Sequence, residues 1–199
     1  MADLTNALAA ARNALTTEIA ALEKFSHGLD EKLSDALDLL VNVKGHVVIT
    51  GLGKSGLVGA KISATLASTG TPSFFMHAAD ALHGDSGALT PDDLLIAISN
   101  SGETTEVVAI AKMAKQWGNK VIAITAKHES SLATTADALL NIAFDKEADP
   151  LNLAPTTSTT LTIALGDALA SALMEHKNFT SADFGKRHPG GSLGKATNK

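Results

Sequence analysis

The stretch LLIAISNSGETTEVVAIAKMAKQW, residues 94–117, decides the fold. Its first five residues are an apolar run of strand length, and Val107, Ile110, Ala111, Ala114 and Trp117 then recur at the spacing of one helical face. Between them lies SNSGETTE, residues 99–106, which crowds four hydroxyls, a glycine and two carboxylates into the passage from strand to helix. The start of a helix leaves N–H groups unpaired and presents the positive end of the helix dipole. Ser99, Ser101, Thr104 and Thr105 could join those N–H groups around a phosphate. Equally, a single hydroxyl could cap the helix while Glu103 favours its first turn. Both readings stay open on these residues alone.

Working outward, the same alternation repeats. HVVIT (46–50), SFFM (73–76), KVIAIT (120–125) and ALLNIAF (138–144) are further short apolar runs, separated by segments of helix length. Five such runs predict an α/β chain built as a three-layer αβα sandwich, a five-stranded parallel sheet covered by helices on both faces. Pro72, Pro91-Asp92-Asp93 and Gly118-Asn119 supply turns where the alternation needs them. Ligands of such sheets bind beyond the carboxyl ends of the strands. Ahead of the sheet, Leu8, Leu15, Leu22 and Leu29 recur every seven residues beside Leu4, Ala11 and Phe25, which predicts a long amphipathic helix broken at Gly28. A second helix carrying Leu33, Leu37 and Leu40 follows. The stripe suits core packing, and its length also suits pairing of helices between subunits. One domain over 1–199 is expected, with helices over 1–45, the αβα core over 46–177 and a polar, glycine-rich tail over 178–199.

Composition narrows the partners. A chain of 199 residues with 45% hydrophobic content can bury one substantial core. A net charge of −5 offers no general basic footprint for nucleic acid or an anionic membrane, so neither is expected as a partner. With no cysteine, disulfide and thiolate chemistry are excluded, which fits a reducing compartment. The N-terminal residues lack the basic start and compact apolar block of a signal peptide, and no segment is long and apolar enough to span a bilayer, so the expected location is the cytoplasm.

Several further residues could carry chemistry. The first strand runs into GLGKSG, residues 51–56, where glycines permit a tight turn, Lys54 offers a charge and Ser55 opens the next helix. The spacing is not that of a Walker loop, and no acidic ribose-binding signature follows. Beside a second hydroxyl-rich loop it reads as half of a joint phosphate cradle. His77 and His83 lie six residues apart in HAADALHGD, off the i, i+4 spacing of a helical metal pair. Glu147 and Asp149 follow the fifth run, at the same sheet edge as the two loops. LAPTTSTT (153–160) then opens the last long helix, about 157–176, with five successive hydroxyl residues where capping needs one. His188, in the tail, reads from its neighbours as an exposed histidine.

Taken together, GLGKSG, HAADALHGD, SNSGETTE, the segment from Glu147 to Thr160 and RHPGGSLGK (187–195) resemble the sugar isomerase (SIS) fold, and within it the D-arabinose 5-phosphate isomerases. The resemblance extends from about residue 5 to residue 195. Longer members of the family continue into CBS domains, so a chain stopping at Lys199 resembles a natural short form or an excised catalytic domain. The resemblance implies interconversion of D-arabinose 5-phosphate and D-ribulose 5-phosphate for synthesis of the sugar acid Kdo of lipopolysaccharide or capsule. It also implies no required cofactor and a homotetramer whose active sites are shared between subunits. On the family pattern, Lys54, Glu106, Glu147 and His188 match catalytic positions, and Ser55, Ser99, Ser101 and Thr104 match phosphate-binding positions. Gly70 and Thr71 match a substrate-contacting turn, His83 a substrate-site histidine, and His77 a position that binds an inhibitory metal.

The reaction needs groups of these kinds. A proton must leave C2 beside the aldehyde and one must return to C1, through an enediol whose oxyanion has to be stabilised. Histidine or a desolvated glutamate suits the proton transfer, and a cation suits the oxyanion. His188 is therefore the expected shuttle, Lys54 the oxyanion partner, Glu106 and Glu147 aids to ring opening or transfer between oxygens, and His83 a positioner of hydroxyls. Two alternatives remain in view. One is an isomerase of a hexulose or heptulose phosphate on the same fold; the other is a non-catalytic module that senses a sugar phosphate, which would not require the Lys, Glu and His set.

Overall fold

The computed structural model describes residues 4–189. It opens with α1 (Thr5–Ser26) and α2 (Leu29–Val41), separated where Gly28 takes a φ of 68°, a left-handed turn that ends the first helix at the expected glycine. Five strands follow: β1 (Val47–Gly51), β2 (Ser73–His77), β3 (Leu94–Ile98), β4 (Lys120–Thr125) and β5 (Ala138–Asn141). Between and after them run α3 (Gly53–Ser68), α4 (Ala78–Ala81) with a 3-10 turn at Asp85–Ala88, α5 (Thr105–Gln116), α6 (Ser131–Thr135), α7 (Thr157–His176) and α8 (Ser181–Arg187). The strands form one parallel sheet in the order β2-β1-β3-β4-β5. Four strands fall where the apolar runs lie. The fifth ends at Asn141 rather than Phe144, because the Asn141 side-chain oxygen accepts the Ala143 N–H at 2.7 Å and draws the backbone out of the ladder.

Alternate strand residues fill two cores. Val47, Ile49, Ile96 and Ile124 pack under α2, α3 and α7, against Leu40, Ile62, Leu66 and Leu165. Val48, Leu95, Ala97 and Val121 pack under α5 and α6, against Val107, Ile110 and Leu132. The strands are buried on both faces, which is why they read as continuous apolar runs. The result is the three-layer αβα sandwich. α3 and α7 lie side by side: a side chain at Gly166 would overlap Ile62, and Lys61 pairs with Asp167. Further along, Lys177 reaches Gly70, so separations of 106 and 107 residues hold along the pair and the two helices run parallel in step. Their N-termini therefore stand level at the carboxyl edge of the sheet.

The stripe on α1 divides. Phe25 is buried and Ala21 and Leu22 join the core, whereas Leu4, Leu8, Leu15 and Ile19 are 54 to 64% exposed. Core packing thus accounts only for the last turns of α1. Among the described residues, no helix is long and apolar enough to cross a membrane.

Candidate active site

From β1 the chain crosses to β2 on one side, and β3 lies on the other, so the order reverses between β1 and β3. α3 and α5 leave these two strands on opposite faces of the sheet, and the crevice between them is where ligands of open parallel sheets bind. Both loops named in the sequence open into this crevice. After β1, a Cβ at Gly51 would meet the Gly56 nitrogen at 3.1 Å, so glycine lets α3 start close against the strand, and Gly53 holds a φ of 56°. No side chain caps α3; Lys54 is exposed in its first turn and Ser55 half-buried.

After β3, Ser99 is buried, and its Oγ lies 2.8 Å from Thr104 Oγ1 and 3.4 Å from Ser101 Oγ. It also accepts the Gly102 N–H at 3.1 Å. Gly102 has a φ of 69°, and any Cβ there would run into Ser130, so the loop folds tightly enough to bring three hydroxyls together. Thr104 occupies the N-cap position of α5, yet its hydroxyl turns to Ser99 and makes no cap. The capping alternative therefore fails for α5. By contrast, α6 is capped by Ser130, whose Oγ accepts the Ala133 N–H, and Glu103 serves that same helix by accepting the Ser131 N–H at 2.7 Å. That backbone N–H, first among several groups, holds the Glu103 carboxyl below its ordinary value. Glu103 thus supports a neighbouring helix rather than the first turn of α5. Two uncapped helix starts and a knot of hydroxyls face one crevice, an arrangement suited to a phosphate dianion.

The carboxylates divide by environment. Glu106 is half-buried in the first turn of α5 and pairs with no side chain among the described residues. Glu147 is buried, and its Oε2 accepts the Thr156 N–H at 2.8 Å, the Ser158 N–H at 3.1 Å and the Thr156 hydroxyl at 3.2 Å. It caps α7, at the level of the start of α3. Asp149 accepts the N–H groups of Leu151, Leu153 and Ala154. Desolvation raises its pKa, but these donors more than offset it and leave the carboxyl below its usual value. It shapes the loop. Of the five hydroxyls opening α7, Thr156 tethers Ala148, while Thr157 Oγ1 and Ser158 Oγ are buried without a partner among the described residues.

The remaining residues lie apart. Gly70 and Thr71 precede β2, at the amino edge of the sheet, about 20 Å from the crevice at the rise of a strand. They do not join the Ser99 loop within one chain. Neither does His188. α7 runs back to the amino edge, where Lys177 donates to Thr71 Oγ1 at 2.8 Å and to the Gly70 carbonyl at 3.2 Å. α8 starts there on a capping box of Thr180 and Asp183. The Thr180 hydroxyl and N–H, with Lys186, lower the Asp183 pKa to about 2. His188 closes α8, half-buried, with its ring stacked on Phe184 at 3.8 Å and its Nδ1 2.9 Å from the Phe184 carbonyl. The tail up to residue 189 is therefore ordered by a helix, against the expectation of an exposed histidine; residues 190–199, with the rest of GGSLGK, lie outside the described residues. A carbonyl can only accept, so in the neutral ring Nδ1 is the donor and Nε2 keeps the free lone pair.

His77 ends edge strand β2 at the carboxyl edge, its Nδ1 buried without a hydrogen bond and 3.6 Å from Asp80. His83 is exposed on the turn after α4. A metal at His77 would find Asp80 as one further donor, and among the described residues no three His, Cys, Asp or Glu side chains group to hold an ion. Surface hollows of about 390 Å³ between α1 and Phe144–Lys146, and about 360 Å³ beside Glu147 and Asn152, flank the site without containing the helix starts. The helix starts, with their unpaired N–H groups, are the stronger chemical pointer. Lys177 and Phe179 gave no signal in the sequence, since their partners Gly70 and Thr71 are remote along the chain.

A doubly wound parallel sheet with a crevice at the point where its strand order reverses defines an open-sheet α/β protein. The model of the SIS domain matches residues 39–172, and the chain belongs to the SIS domain family. Arabinose 5-phosphate isomerase KpsF of Escherichia coli O6:H1 is 55% identical over 185 residues, 92% of this chain and 57% of the relative. Arabinose 5-phosphate isomerase KdsD of Pseudomonas aeruginosa is 55% identical over 160 residues, 80% of this chain and 49% of the relative. The chain thus spans about half the length of these curated relatives. A solved protein of E. coli CFT073 in complex with arabinose 5-phosphate has a TM-score of 0.90 and 43% identity, covering 95% of this chain and 100% of that one.

Proposed function

We propose that this protein interconverts D-arabinose 5-phosphate and D-ribulose 5-phosphate through an enediol, without a required cofactor. The observation that carries this reading is the crevice where the uncapped starts of α3 and α5 meet the Ser99–Ser101–Thr104 hydroxyls, with Lys54, Glu106 and Glu147 at the same sheet edge. The names of the relatives and the ligand of the similar structure support the substrate. The phosphate binds with Ser55, Ser99, Ser101 and Thr104. Lys54 stabilises the oxyanion as the C2 proton leaves; His188 Nε2 takes that proton and returns it to C1. Glu106 and Glu147 assist ring opening and move the hydroxyl proton from O2 to O1. His83 orients the sugar hydroxyls, and metal at His77 inhibits.

The location of His188, Gly70 and Thr71 at the edge remote from Lys54 supports an oligomer, a homotetramer, in which one chain's amino edge completes another chain's crevice. The exposed apolar stripe of α1 offers a surface for such pairing. The same relatives support a cytoplasmic role in supplying the precursor of Kdo, for lipopolysaccharide or capsule. Incubation with ribulose 5-phosphate in heavy water tests the activity: arabinose 5-phosphate labelled at C2 is expected, whereas ribose 5-phosphate as the only aldose, or no exchange, would overturn it.

A further inference from the structure

At the amino edge, a chain of contacts runs from the Gly70–Thr71 turn to His188. Lys177 caps the end of α7 and Asn178, at a φ of 51°, reverses the backbone, with the Phe179 N–H returning to the Met174 carbonyl at 3.0 Å. The reversal lays the Phe179 ring on Gly70, where a Cβ would sit 2.7 Å from two ring carbons. The Arg187 guanidinium lies over the same ring, 5.1 Å from its centroid, and donates to the Asp183 carbonyl at 3.1 Å. Arg187 immediately precedes His188. The Lys177 ammonium bridges the turn by donating both to the Gly70 carbonyl and to the hydroxyl of Thr71, itself 1% exposed. Desolvation, with the Arg187 charge nearby, lowers the Lys177 pKa, so the cation is held here against two unfavourable influences.

We propose that Lys177 is a positioning residue, the staple that fixes α8 to the Gly70–Thr71 turn and so sets where His188 Nε2 meets the sugar. This rests on the assignment of His188 as the proton shuttle. The consequence is that the turn and the base move as one unit: whatever part of a sugar Gly70 and Thr71 touch is held at a constant distance from the base. Displacing a reacting group by about 1 Å costs up to about 100-fold in rate while leaving phosphate contacts elsewhere unchanged. Lys177 should therefore act on turnover and not on affinity.

Steady-state kinetics of Lys177→Met and Lys177→Arg in the full chain test this, with His188→Gln alongside. Lys177→Met, which keeps the stem and removes the ammonium, should lower kcat by about 10- to 100-fold with KM within about twofold, and Lys177→Arg should recover most of the loss. A folded Lys177→Met variant with kcat within about twofold of the parent, or one whose KM rises as much as kcat falls, overturns the proposal. Should Lys177→Met fail to fold by circular dichroism, Lys177→Gln, which removes the charge and shortens the reach to Gly70 and Thr71 while keeping a polar side chain, is judged by the same kcat and KM criteria. His188→Gln separates the two levels: if it retains turnover, the shuttle assignment is wrong; if it is inactive while Lys177→Met is normal, only the staple is wrong.

Discussion

Ser99 is a demanding residue to place where it is. Its hydroxyl is buried at the end of β3 and shared among Thr104, Ser101 and the Gly102 N–H, which leaves no side-chain acceptor for the N–H groups at the start of α5. Replacing it with alanine removes the hub and leaves the Thr104 hydroxyl unmatched, while the Gly102 N–H keeps the Ser99 carbonyl at 3.0 Å. Ser99→Ala should raise KM for the sugar phosphate about 10-fold or more, from the roughly 1.5–3 kcal/mol typical of a hydrogen bond to a charged group, with kcat changed less. An unaltered KM would remove Ser99 from the phosphate site. These residues were legible because their chemistry is local: a strand, a hydroxyl-rich turn and a helix lie within 24 residues. The bond from Lys177 to Thr71 was not, since 106 residues separate the two and Lys177 stands in no pattern that singles it out. Nor did the sequence divide Glu147, which caps a helix with one oxygen, from Asp149, which commits both to a loop.

At the scale of elements, the amino edge of the sheet is held by Asp93, just before β3. Its carboxylate is 3% exposed and accepts the His46 N–H at 2.6 Å, just before β1, and the Thr90 N–H at 2.7 Å. Burial alone would raise its pKa, but the two backbone donors, with the nearby His46 ring, bring it below its ordinary 3.8. The depressed folded value means that Asp93 contributes stability in full above pH 3.8 and loses it as the pH falls through the folded value. Asp93→Asn should cost about 1–3 kcal/mol near pH 7, because an amide cannot accept from both N–H groups through two carboxylate oxygens. Its melting temperature should also fall less than the parent's on acidification toward about pH 3. Equal melting at neutral pH, or equal acid sensitivity, would show that the carboxylate does not join the strands. The strands themselves were legible as apolar runs. α8 was missed inside a polar tail although Thr180 and Asp183 carried the spacing of a capping box, a signal masked by the glycines that follow.

For the molecule as a whole, the two edges of one sheet hold the two parts of the proposed catalytic set. Lys54, Ser99, Glu106 and Glu147 gather at the carboxyl edge; Thr71, Lys177 and His188 gather at the amino edge, with the sheet's length between them. No motion of side chains closes that distance, whereas a symmetric pairing of chains would bring an amino edge of one over the crevice of another. Activity should then depend on assembly in a way that a complete monomeric site would not. Lys54→Met and His188→Gln chains, each inactive alone, should regain activity when unfolded and refolded together, because a crevice with Lys54 can meet a tail with His188. Random pairing puts an intact crevice against an intact tail in about a quarter of sites, so roughly a quarter of parental activity is expected at equal mixing. The same mixture without refolding should stay inactive until subunits exchange. If the co-refolded mixture has no activity while both variants assemble normally, His188 acts within its own chain, and α8 would have to leave the Gly70–Thr71 turn to reach the crevice.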